Sequence, residues 1–268
     1  MSEPVVIEAR GAIEIVTLNR PDRLNAMNAD LIAALDGYFR ALCDRLDVRV
    51  VILRGAGRAF CAGLDLDPDA WAGSADHARG PVQAGWRTQR AIAQVMQLMR
   101  QCPQPIIALG HGAACGGGFS LLLSSDVRLA APDLKMNAAY IKIGLGGCDM
   151  GSSYFLPRLV GASLAAELIL TGNFLYAERA LQSGLVSAVV DHADLLDHAL
   201  GLAGDMLATA PMGLRLSKDA LNRNIDAPGF DAALALEDRQ QVMLAQTEDF
   251  IEAKRAFAQK RAPDFKDR

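Results

Sequence analysis

Several large classes of protein leave marks that this chain lacks. Its five cysteines, Cys43, Cys61, Cys102, Cys115 and Cys148, are an odd set with no CxxC pair and no signal peptide ahead of them. They read as reduced thiols of a cytoplasmic protein. There is no basic excess: 27 Lys+Arg stand against 31 Asp+Glu, a formal net charge of −4, which argues against nucleic acid as a partner. The longest apolar runs, such as Leu121–Leu123, fall far short of a membrane span, so no membrane insertion is expected. The four histidines, His77, His111, His192 and His198, have no metal-ligand spacing; no metal is expected, and His111 reads as structural. The chain contains neither a GxxxxGK[ST] phosphate loop nor a GxSxG nucleophile turn. Gly110-His111-Gly112 is not followed by the glycine that a dinucleotide fold requires.

What is present is a folding chain. Of its 268 residues 51% are hydrophobic and 22% charged, and a chain of this length buries roughly three quarters of its unfolded surface without disulfides or structural metal. Residues 5–9 and 13–18 are short β-rich runs joined by Arg10-Gly11, the pattern of a hairpin. From Asn28, which reads as a cap, Leu31, Ile32, Leu35, Phe39 and Leu42 recur at helical spacing. Residues 50–53 and 105–109 are continuous apolar runs, the mark of strands covered on both faces. Residues 84–101 read as helix, and 67–81, rich in Ala, Gly and Asp, as a mobile surface insertion. Strand, helix, buried strand, glycine loop and helix recur, so an α/β core is expected over residues 1–190. Residues 191–268 read as helical, with Asp191 capping a helix to Leu207, Pro211 opening the next, and two more over 230–246 and 247–260. Such a segment is either a docking domain or an oligomerisation arm.

Two backbone features carry the chemistry. Residues 58–66, Arg-Ala-Phe-Cys-Ala-Gly-Leu-Asp-Leu, make a small-residue turn after one buried strand; Gly116-Gly117-Gly118 opens a helix after another. Small residues let a ligand approach the main chain, and a helix N-terminus offers free N–H donors. Two such donors converging on one oxygen make an oxyanion hole. Either run alone reads as tight helix–strand packing; together, in this order, they favour the site.

The ordered set of motifs resembles the crotonase superfamily, the enoyl-CoA hydratase/isomerase family, over nearly the whole chain. It comprises Leu18-Asn19-Arg20-Pro21 with Leu24-Asn25-Ala26-Met27, then residues 60–66, then Gly116–Gly118 running on to Ser125-Asp126-Val127-Arg128. Leu156-Pro157-Arg158-Leu159-Val160-Gly161, Leu170-Thr171-Gly172, Gly184-Leu185-Val186 and the tail Phe257-Ala258-Gln259-Lys260-Arg261 follow. The resemblance implies a spiral of ββα turns binding acyl-CoA, followed by C-terminal helices that pack homotrimers, often paired into hexamers. It implies oxyanion donors at the N–H groups of Leu64 and Gly117. It implies that Ala62, Leu64, Asp65 and Leu66 hold the CoA moiety, chiefly through the main chain. Coenzyme A is then part of the substrate, and no separate cofactor is expected. Arg23 matches a partner for CoA phosphates, and Lys260 a tail lysine that reaches CoA, in some members from a neighbouring subunit; each reads equally as a solvated surface charge.

The departure from the family pattern decides the chemistry. Its hydratases use two glutamates, one at the second residue after the glycine run and one about twenty residues later; those positions hold Ser120 and Tyr140. No glutamate occurs between Glu14 and Glu167. Serine and tyrosine do not replace a carboxylate pair in activating water and delivering a proton; they read as lining the acyl pocket. Asp149, in the glycine-rich loop 144–151, matches the position of a catalytic aspartate in dienoyl-CoA isomerases of the family. Its small and apolar neighbours favour a raised pKa and a general base; the other reading is a cap for the following helix. An enolate-stabilising acyl-CoA enzyme that shifts a double bond fits one acid best. The alternatives are an enoyl-CoA hydratase of the fatty-acid β-oxidation type with a non-standard acid, and a non-catalytic acyl-CoA-binding oligomer.

Overall fold

The N-terminal strands β1 (Val5–Arg10) and β2 (Ile13–Leu18) pair antiparallel, Val5 opposite Leu18 and Arg10 opposite Ile13, through a tight turn in which Gly11 takes a left-handed φ of 62°. The computed structural model to which they belong describes residues 3–71 and 80–268. Helix α1 (Ala29–Leu42) is capped by the Asn28 side chain, which accepts from the Leu31 N–H at 3.0 Å, and buries the stripe from Leu31 to Leu42. Strand β3 (Val50–Gly55) follows. Most of the insertion expected at 67–81 lies outside the described residues; Pro68–Trp71 form a 3-10 turn. Helix α2 (Pro81–Gln101) starts three residues before its apolar period does, because Pro81 with its fixed φ suits a first helical position.

Next come β4 (Ile106–Gly110), β5 (Ala113–Cys115), α3 (Gly117–Ser124), β6 (Val127–Ala130) and β7 (Lys135–Asn137). They are followed by α4 (Ser152–Val160), α5 (Ala162–Thr171), β8 (Leu175–Tyr176), α6 (Ala177–Gln182) and β9 (Ala188–Val189). One sheet has the order β1-β2-β3-β4-β6-β9, parallel except for the first pair; a second, smaller sheet is β5-β7-β8. A strand of the large sheet, a strand of the small one and a helix succeed each other in β4-β5-α3 and again in β6-β7-α4, which are the expected ββα turns.

Pleating explains the unbroken apolar strands. Val51 and Leu53 face the core formed with α1, α2 and α3, while Val50 and Ile52 face the opposite side. That second face is covered by α7 (Leu195–Leu207), whose Leu195, Ala199 and Ala203 lie against Ile15, Ile52, Ile107 and Leu129. Asp191 does not cap this helix, contrary to expectation. Its carbonyl instead accepts from the Asp194 N–H in a turn, and Asp194 occupies the cap position without a side-chain bond. The chain must turn after β9 before Leu195 can sit over the sheet.

The C-terminal helices are α8 (Pro211–Asn224), α9 (Phe230–Leu244) and α10 (Glu248–Gln259). Lys218 of α8 is only 5% exposed; its ammonium donates to the carbonyls of Met99 and Gln104 and pairs with Asp126 at 2.8 Å, tying α8 to the core. Residues after α10 fold back, with Asp249 accepting from the N–H groups of Lys266 and Asp267 and Arg215 pairing with Asp267. No helix among the described residues is long and apolar enough to cross a membrane.

Candidate active site

Two chain segments run side by side and end at the candidate donors. The Cys61 N–H donates to Ala113 O, and the Cys115 N–H donates to Cys61 O, which sets Cys61 opposite Ala114 in parallel register. Leu64 and Gly117 each lie three residues further on. Beside Leu64, the Met27 N–H donates to Gly63 O and the Asp65 N–H to Met27 O, so that bridge skips the amide of Leu64 and turns it away from Met27. Gly117 is the first residue of α3, where an N–H has no intrahelical partner. Among the described residues neither N–H has a hydrogen-bond partner. The glycines between them keep the segments close. A Cβ on Gly63 would stand 2.8 Å from Cys115 O and 3.6 Å from Gly117 N, and one on Gly118 only 2.1 Å from Cys61 O. Burial under this packing pushes the Cys61 thiol up to about 12, which keeps it protonated and inert.

The hydroxyls expected in the acyl pocket meet each other. The Tyr140 hydroxyl donates to Gly116 O at 2.9 Å, so the Ser120 hydroxyl, 2.6 Å away, is the donor to Tyr140. Both side chains are buried, and the Tyr140 ring lies against Gly116. Burial above all, with the nearby Asp149 carboxylate adding to it, pushes the Tyr140 phenol well above its ordinary value; it stays protonated. Both protons thus go to protein acceptors.

Asp149 lies in the same neighbourhood. Its neighbour Met150 is buried, with its Cε 3.4 Å from where a Cβ on Gly117 would be. The carboxylate does not cap α4, whose N-cap is Gly151 without a side-chain bond. Instead Asp149 Oδ1 accepts from the Met150 N–H at 2.7 Å and from the Gln89 side-chain amide of α2, while Oδ2 has no partner among the described residues. Gln89, Met27 and Met150 were not among the expected site residues. A glutamine on a helix carries no signal of its own, and its contact spans 60 residues of chain.

The remaining expected residues are placed as follows. Ala62 and Leu64 are half-buried, and Leu66 is exposed. Asp65 is buried and pairs with Arg20 at 3.0 Å and Arg23 at 3.2 Å. Burial alone would raise its carboxyl, but the bonds from Arg20, the Asp67 N–H and Arg23 together hold it below the usual range. Arg23, half exposed, also pairs with Asp67 at 2.9 Å. Lys260 is exposed at the end of α10, and among the described residues no hydrogen bond or ion pair ties it to the other site residues. His111 is buried, with Nε2 3.0 Å from Gly57 O, as a structural residue would be. No group of three His, Cys, Asp or Glu side chains among the described residues is arranged to hold a metal ion.

Comparisons with known proteins agree in kind. A family model described as enoyl-CoA hydratase/isomerase matches residues 8–268. The chain is 38% identical over 253 residues to a Mycobacterium leprae protein named probable enoyl-CoA hydratase, covering 94% of this chain and 86% of that relative. It is 33% identical over 265 residues to the 1,2-epoxyphenylacetyl-CoA isomerase of Escherichia coli, covering 99% of each. The crystal structure of an enoyl-CoA hydratase from Bacillus anthracis is similar at a TM-score of 0.91 and 30% identity, covering 99% of this chain and 100% of that one.

Proposed function

The chain belongs to the enoyl-CoA hydratase/isomerase family, and from that premise we infer that it is an acyl-CoA enzyme that moves a carbon–carbon double bond through a thioester enolate. The N–H groups of Leu64 and Gly117 receive the thioester oxygen as negative charge develops on it. Asp149 Oδ2 takes a proton from one of the α- and γ-carbons and returns it to the other, so the double bond shifts and no water is consumed. CoA runs along the main chain of Ala62, Leu64, Asp65 and Leu66. Arg23 lies at its phosphates, and Lys260 reaches it from a neighbouring copy in a cytoplasmic homotrimer or hexamer.

One observation carries this reading. The two positions at which the family's hydratases hold glutamates are occupied by hydroxyls locked to each other, which leaves Asp149 as the carboxylate beside them. The E. coli relative's name, an isomerase, is in keeping with it. Hydration is the second reading, favoured by the name of the M. leprae relative; it requires a water activated by Asp149 alone.

The products separate the two. Incubated with 3-enoyl- and 2-enoyl-CoA in deuterated water, the protein is expected to interconvert them, to exchange deuterium into the acyl chain and to form little 3-hydroxyacyl-CoA. Asp149→Asn is expected to bind acyl-CoA normally and to lose roughly 10²–10⁴-fold in turnover. Efficient formation of the 3-hydroxy product would reject isomerisation, and binding without any turnover would mark an acyl-CoA-binding oligomer.

A further inference from the structure

A proton-carrying carboxylate has to be held to within about half an ångström, and groups on helices are held better than groups on loops. Asp149 is on a loop. Two residues beside it, Met150 at φ 45° and Gly151 at φ 86°, are left-handed, and its own main chain is fixed by an exchange of bonds with Ser152. The side chain has one local support, the Met150 N–H on Oδ1, which leaves the carboxylate free to rotate about that bond.

The second support comes from α2. Gln89 donates its side-chain amide to the same Oδ1. The contact follows from helix register. Gln89, Ala93, Met96 and Arg100 recur at helical spacing on α2, and the last three line a cavity of about 380 Å³ whose opposite wall is Met150, Tyr154 and Phe155. The stripe that faces α4 therefore presents residue 89 to the loop just ahead of α4. Gln89 is itself exposed, so water would satisfy its amide equally well, and folding gains little from the bond. Two donors on one oxygen fix the plane of the carboxylate and leave Oδ2 unbonded.

We propose that Gln89 is a positioning residue for Asp149, an amide on a long helix that pins one carboxylate oxygen so that the other is aimed at the acyl carbons. The assignment rests on Asp149 as the proton carrier.

Gln89→Met keeps the length and helix propensity of the side chain and removes the amide. In the full-length protein assayed with a 3-enoyl-CoA, it is expected to lower kcat about tenfold, to change KM less than twofold and to leave the thermal midpoint unchanged. Gln89→Lys, which retains a donor of similar reach, is expected to keep most of the activity. In an Asp149→Asn background, Gln89→Met is expected to cause no further loss. Wild-type kcat in Gln89→Met beside a disabled Asp149→Asn overturns the positioning role and leaves the role of Asp149 intact. A fall in kcat that tracks the thermal midpoint and is not rescued by lysine overturns it too. Full turnover in Asp149→Asn overturns instead the proton-carrier reading beneath it.

Discussion

Position 118 has room for no side chain. The parallel pairing of residues 61 and 114 brings Cys61 O against the first turn of α3, and a Cβ there would lie 2.1 Å from that oxygen, with the Cys61 carbonyl carbon and Cβ both at 2.8 Å. The obstacle is backbone, which cannot rotate away as a side chain would. Gly118→Ala is therefore expected to cost about 3 kcal/mol, read from the denaturant midpoint at unchanged m-value. Acyl-CoA binding should weaken with it, because the shift would separate Leu64 from Gly117. Gly144, left-handed but with nothing within 4 Å of a Cβ, meets only the local backbone penalty on the same change.

Among the elements, α10 and the residues after it behave as one unit held by charge. Glu252 accepts from the Arg261 guanidinium and from the Asp264 N–H, and these bonds, the first the larger, draw its carboxyl from 4.5 down to about 2. A depressed carboxylate contributes its stability above the unfolded value and loses it as the pH falls through the folded one. The fold-back is thus expected to be intact above about pH 4.5 and to release progressively towards pH 2. Hydrogen exchange at the amide of Asp264 checks this, and Glu252→Gln should speed that exchange at neutral pH while Asp249 and Arg215 still hold residues 266–267. Lys218 of α8, buried against Asp126 and two carbonyls, keeps α8 on the core when the tail opens.

At the scale of the whole molecule, the C-terminal helices leave apolar surface without a cover. Phe230 is 76% exposed, Leu221 74% and Phe257 88%, and α9 buries only Gln240. Single exposed apolar residues are ordinary, but several on successive helices are the kind of surface that association between copies would cover. A groove of about 710 Å³ between α8 and α9, lined by Leu216, Ala220, Leu221 and Leu244, continues it. Light scattering at micromolar concentration is expected to give the mass of a trimer or hexamer, and Leu221→Asp to reduce it. Assembly would also bring Lys260, exposed at the end of α10, within reach of a neighbouring copy.

The elements were legible in the sequence wherever the signal is local. Asn28 announces its helix because a short polar side chain there reaches the N–H three residues on, and Thr247, read as the first residue of its helix, caps it in the same way. Pro211 opens α8, and the unbroken runs around Val51 and Ile107 announce strands covered on both faces. That Ser120 and Tyr140 stand where the family's hydratases hold glutamates followed from the resemblance together with residue identity. The small sheet was not legible, since strands of two or three residues are too short to show a period. Nor was the start of α7, where three aspartates within seven residues offered several caps and the packing of Leu195 on the sheet chose among them. The site divides in the same way. Small residues after buried strands pointed to residues 58–66 and 116–118, and the family resemblance narrowed the candidate donors to Leu64 and Gly117, whereas the bonds joining Ser120 to Tyr140 and Gln89 to Asp149 cross 20 and 60 residues of chain. Periodicity and capping are set by neighbours a turn apart. Which distant side chains meet is set by strand register and helix phase, and these exist only once the chain has folded.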